Sequence, residues 1–131
     1  MAKISTEDAR DLARLYYDLA VSLGEFRFNH WDEMNQSQRT ELESLEWTLL
    51  TQSSDMTTRA ISLATTDMKS SLREISRATK GLTRAVRRVS DVKKAITFAS
   101  KALTLGSAVF TGNADAIAKA ITGAIGAVED A

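Results

Sequence analysis

Residues 71–110 read SLREISRATKGLTRAVRRVSDVKKAITFASKALTLGSAVF, and every seventh of them from Ile75 is apolar: Ile75, Leu82, Val89, Ile96, Leu103 and Phe110. Followed backwards at the same step, the row passes Met68, Ile61, Ser54 and Trp47, so nine of its ten positions are apolar. Three residues further on, a second row reads Leu50, Thr57, Ala64, Ser71, Ala78, Ala85, Val92, Ala99 and Gly106, small throughout its later part. Sevenfold apolar recurrence marks long packed helices. Large residues facing small ones favour close, antiparallel contact. Each buried Leu or Ile of such a seam contributes roughly 1.5–3 kcal/mol.

Composition agrees. The 131 residues are one domain's worth of chain, enough to enclose a core. There is no proline, where average usage of about 5% gives six or seven. Neither glycine nor proline occurs between Glu25 and Lys80, and β-branched and aromatic residues do not alternate at period two. An all-α fold is the expectation: a long central helix over about residues 38–110 in an antiparallel bundle or coiled coil, with an N-terminal helix over about 6–34 and a short C-terminal helix over about 114–128. The chain then divides into 1–36, 37–111 and an Ala/Gly-rich 112–131.

Two places compete with a continuous central helix. The polar patch Thr51–Thr58 has poor helix propensity, with a bend near 53–55 as the alternative, and Ser90–Asp91 can cap a new helix. The heptad phase passes through both, and an inserted loop would normally reset it, so continuity is expected. Unbroken, that helix would be on the order of 110 Å long.

The N-terminal helix opens at Ser5, with Asp8 three residues on, and carries Leu12, Leu15, Tyr16, Leu19, Leu23 and Phe26 as one stripe that can run on to Trp31 and Met34. A second ridge, Leu42, Leu49, Met56 and Leu63, lies about 200° from the main seam, so this stretch needs neighbours on both sides. Thr111–Gly112–Asn113 reads as a stop followed by a cap. Beyond it, Ile117, Ile121, Ile125 and Val128 form an apolar ridge beside Ala116, Ala120 and Ala124.

The net charge of zero conceals an asymmetry. Residues 1–50 hold ten acids and five bases, while residues 51–101 hold eleven bases and four acids. Antiparallel packing of the two halves would neutralise them. The bases recur as Arg73, Lys80, Arg87, Lys94 and Lys101, seven apart, with Arg77, Arg84 and Arg88 alongside, opposite the seam. Such a stripe suits a solvated face, an acidic neighbour or a phosphate surface, lipid or nucleic. It lacks the aromatic residues that stack on bases.

Chemistry-bearing patterns are scarce. There is no cysteine, one histidine (His30), no phosphate-binding glycine pattern and no pair of Glu-x-x-His motifs. Neither catalysis, a cofactor nor a metal is expected. No leader-like N-terminal run and no eighteen-residue apolar span occur, so a cytoplasmic location is the default expectation. The expected function is a non-enzymatic assembly or interaction protein acting as a homo-oligomer through coiled-coil packing, binding by its seam and its C-terminal apolar surface. An intramolecular core is the competing use of the seam, but only the first helix and the short last one are at hand to cover it. Another helical protein is a further partner. The alternative is a membrane-active protein using the basic stripe and the apolar hairpin 95–128, a layout like that of α-helical pore-forming toxins though carried by no motif. Nucleic-acid binding ranks third.

Overall fold

Asp67 and Asp91 each open a helix, and with them the expected rod becomes three separate helices. In the computed structural model, which describes residues 2–130, the helices are α1 (Thr6–Asn29), α2 (Gln36–Thr58), α3 (Met68–Arg88), α4 (Val92–Thr111) and α5 (Ala114–Glu129). The all-α class stands. The continuous helix over 38–110 does not, and neither does the bend near 53–55, since α2 runs through those residues.

The first break is at 59–67. Thr57 and Thr58 turn their hydroxyls back to the Ser54 carbonyl, Arg59 leaves α2 in an extended conformation, and the Asp67 carboxylate accepts from the Ser70 amide at 3.0 Å to start α3. Between them Ile61 and Leu63 are buried while Ala60 and Ala64 are exposed, a two-residue alternation. This segment pairs with the N-terminus: β1 (Ala2–Lys3) lies antiparallel to β2 (Ser62–Leu63), and the Ile4 amide donates to the Ile61 carbonyl at 3.0 Å. The second break is shorter. Val89 is extended, and Asp91 accepts from the amides of Lys93 and Lys94. Gly112, at φ 70°, ends α4 in the left-handed conformation that glycine tolerates, and Asn113 caps α5 through the Ala116 amide.

Cross-helix contacts fix the directions. Ser53 donates to the Ala13 carbonyl (2.6 Å) and Arg27 pairs with Glu46 (3.1 Å), so α1 and α2 are antiparallel. The starts of α1 and α3 line one cleft, and Arg87 donates to Ser22 further along, so these two are parallel. Tight turns then make α4 and α5 an up-and-down continuation. The core is shared by all five helices: Tyr16, Leu19 and Leu23 from α1; Leu42, Leu49 and Met56 from α2; Ile75 and Leu82 from α3; Phe98 and Leu105 from α4; Ile117 and Ala124 from α5.

Three polar contacts tie the layers together. Tyr16 donates its hydroxyl to the Ala102 carbonyl at 2.8 Å, and burial holds its phenol well above its ordinary range, opposed in part by the Thr79 hydroxyl. Gln52 reaches from α2 to donate to the Leu103 carbonyl and to Ser107. Gly106 makes that reach possible: a Cβ there would sit 2.5 Å from the Gln52 Oε1, which is buried without a hydrogen-bond partner among the described residues.

Candidate functional site

The seam residues do not face outward together. Ile61, Ile75 and Leu82 are buried in the core, and Met68, Val89, Ile96, Leu103 and Phe110 pack against it half-exposed. Trp47 is the exception, 64% exposed. Within α2 the second ridge, Leu42, Leu49 and Met56, takes the core position, and the seam phase points away from it. The heptad row therefore crosses from one side of the molecule to the other where the helix breaks. Its run of apolar residues through Ile61 is a coincidence of spacing.

Trp47 has company on its side. Of the six large apolar side chains exposed among the described residues, Tyr17 (54%), Val21 (39%) and Phe28 (82%) come from α1. At 100° per residue these three fall within an arc of about 40°. Ala13 and Gly24, one edge of that arc away, face α2 through Ser53 and Glu46, and the buried stripe lies on the other side of them. On α2 the Glu46 and Ser53 edge likewise separates Trp47 from the core. The antiparallel register puts Trp47 level with the middle of α1, between Tyr17 and Phe28. One outer face of the α1–α2 hairpin thus gathers four of the six exposed apolar side chains. Sequence reasoning, fixed on the Leu12–Phe26 stripe, passed over Tyr17, Val21 and Phe28. Their spacing of four and seven was the signal.

Charge is placed unevenly on this face. Arg10 and Arg14 lie towards the start of α1, preceded by Glu7 in line with Glu25, and Glu25 lies towards its end with Glu43 of α2 beside it; all five are exposed. Arg27 is occupied by Glu46, and Arg39 stacks on Trp31 at 4.3 Å while donating to its carbonyl.

The basic stripe divides between two helices. Arg73, Arg77, Lys80, Arg84, Arg87 and Arg88 are exposed on α3, together with Lys69 and against a single Glu74. Lys94 stands apart in the first turn of α4, and Lys101 leans over α5 near Gly123, so these two leave the row. Among the described residues no cation of α3 has a carboxylate within 4.0 Å; the ion pair found is Arg27–Glu46, and the His30 ring lies 3.9 Å from the Glu33 carboxylate. No ion pair among the described residues joins the acidic and basic halves. Asp8 and Asp11 of α1 face Lys69 and Arg73 of α3 across an open cleft of about 370 Å³ floored by Leu12 and Leu72, and the helices are parallel rather than antiparallel.

The C-terminal ridge is graded: Ile117 is buried, Ile121 and Val128 are half-exposed and Ile125 is 43% exposed. Val128 borders a depression shared with Gly81, Arg84, Ala85 and Arg88, so the ridge runs beside the cationic face of α3. His30 closes α1, its ring stacked on Phe26 at 4.1 Å and its Nδ1 3.0 Å from the Phe26 carbonyl. No cluster of three metal-ligating side chains occurs among the described residues, and no described helix is long and apolar enough to cross a membrane. Comparison of the chain with protein-family models, curated proteins and solved structures finds no match.

Proposed function

We propose that the chain is a non-enzymatic helical interaction module that pairs with a second copy of itself through the outer face of the α1–α2 hairpin. The observation that carries this is the gathering of Tyr17, Val21, Phe28 and Trp47 on one face of an otherwise well-filled bundle. Exposed aromatic clusters rimmed by charge are the usual composition of interface centres.

The charge pattern favours a second copy over a foreign partner. A two-fold axis passing near Val21 reverses α1 against itself, so the end of α1 that carries Arg10 and Arg14 in one copy lies over the end that carries Glu25 in the other, twice over. Such self-complementarity is what an isologous interface requires. Of the seam only Trp47 takes part in the pairing, the rest being packed within the monomer. Another helical protein would need the same charges in mirrored order.

Sedimentation equilibrium tests the reading. At about 100 μM, well above a micromolar dissociation constant, the protein is expected to have a mass near twice the 14.3 kDa of one chain. The Phe28→Ser, Trp47→Ser variant is expected to halve that mass and keep its helical circular dichroism. A compact wild-type monomer at this concentration rules the pairing out, as does a variant that stays dimeric.

A further inference from the structure

The α1–α2 face leaves the strongest polar feature of the molecule unexplained. Over Met68–Arg88 seven cations stand against one acid, all seven exposed and none in an ion pair among the described residues, with Arg87 turned to donate to Ser22 of α1. Two facts separate this face from an ordinary solvated helix surface. The acids that could have neutralised it sit mostly on α1 and α2, and where they approach, at Asp8 and Asp11, the cleft between them and Lys69 and Arg73 stays open. Beside the cations, on α5, runs the ridge Ile121, Ile125 and Val128, with Val128 bordering the same depression as Arg84 and Arg88.

We infer that the α3–α5 face docks the folded bundle onto an anionic lipid bilayer. Cations on a helix flank take headgroup phosphates and carboxylates, while aliphatic side chains next to them settle at the boundary between headgroups and acyl chains. Cations and aliphatic side chains thus lie side by side on two adjacent helices, the combination that a deformable anionic surface accepts. Nucleic acid fits the same cations less well: neither α3 nor α5 contains an aromatic residue to stack on bases, and the isoleucine ridge would gain nothing against a phosphate backbone. With no membrane-crossing helix among the described residues, the protein lies on the bilayer. This inference uses a different face from the self-pairing and stands without it.

Co-sedimentation with vesicles of phosphatidylcholine containing about one third phosphatidylserine tests it. The protein pellets with these vesicles and not with pure phosphatidylcholine, and binding weakens as salt rises. Arg84→Gln with Arg88→Gln is expected to lower affinity roughly 25-fold, at about fivefold per charge. Ile125→Ser lowers it several-fold with the salt dependence unchanged. The Phe28→Ser, Trp47→Ser variant still pellets, which keeps this outcome distinct from that of the self-pairing. The inference is overturned by absence of binding to the anionic vesicles, by equal binding to neutral ones, or by an Ile125→Ser variant that binds like the wild type. Tighter binding to duplex DNA than to anionic vesicles, insensitive to Ile125→Ser, assigns the face to nucleic acid instead.

Discussion

Single atoms decide how closely these helices approach. The amide of Gln52 is fixed by two donors' worth of bonding to α4, and only the missing side chain of Gly106 leaves room for its carbonyl end. Alanine at 106 would raise helix propensity by about 1 kcal/mol, yet its methyl would meet Gln52 Oε1 at 2.5 Å. Gly106→Ala is therefore expected to destabilise by about 1–3 kcal/mol in urea melts, and Gln52→Ala to relieve most of that loss, giving a non-additive cycle. Additive effects would show that the two residues do not compete for the same space. Tyr16 supplies a second residue-level test, this time against pH. Its phenol is pushed above its ordinary 10.0 by burial, so the folded state keeps the proton that the unfolded chain releases. The stability this brings is complete below about pH 10 and declines above it by about 1.4 kcal/mol per pH unit. Tyr16→Phe is expected to cost about 1 kcal/mol at neutral pH through the lost hydrogen bond to Ala102, and to flatten the decline between about pH 10 and about pH 12. Parallel stability curves for the two proteins would contradict this.

At the scale of elements, the helical character of the chain was legible and its breaks were not. The stripe of α1 and the Thr111–Gly112–Asn113 stop were readable because a helix announces its buried face locally, whereas on α5 the buried face is Ile117, Ala120 and Ala124 and the isoleucine ridge turns partly outward. The 59–67 link was hidden because Ile61 and Met68 happen to keep the sevenfold step while the backbone between them is extended. What favours the break is tertiary: an extended segment lets Ile61 and Leu63 both enter the core and lets the N-terminus add a strand. Ser90–Asp91 carried a visible cap, but phase continuity outweighed it in the sequence. Trp47 and Leu82 share a heptad position, and the structure gives them opposite environments, 64% exposed and fully buried. Leu82→Ala is expected to cost about 2–5 kcal/mol, whereas Trp47→Ala, measured on the monomer at low concentration, stays within about 0.5 kcal/mol. Similar losses at the two positions would restore the continuous seam. The outer face of α1 was legible in principle from the four- and seven-residue spacing of Tyr17, Val21 and Phe28, which the stronger buried stripe overshadowed.

Across the whole molecule, the apolar pattern is spent inside and two surfaces remain, aromatic on the α1–α2 hairpin and cationic on α3 with α5. The order of packing, with α1 and α2 forming one side and α5 lying away from them against α3 and α4, keeps the two surfaces from competing. A pair formed through the first leaves the second free on both copies. Because the chain has no cysteine, a single introduced thiol reports the pairing geometry without interference. A residue close to a two-fold axis lies near its own counterpart, within the span of about 4.4–6.8 Å that a disulfide bridges between Cα atoms. Val21→Cys is predicted to form disulfide-linked dimers under mild oxidation, while Ala118→Cys, exposed on α5, stays monomeric under the same conditions. A Val21→Cys protein that fails to cross-link, or an Ala118→Cys protein that cross-links as readily, would contradict self-pairing through the α1–α2 face.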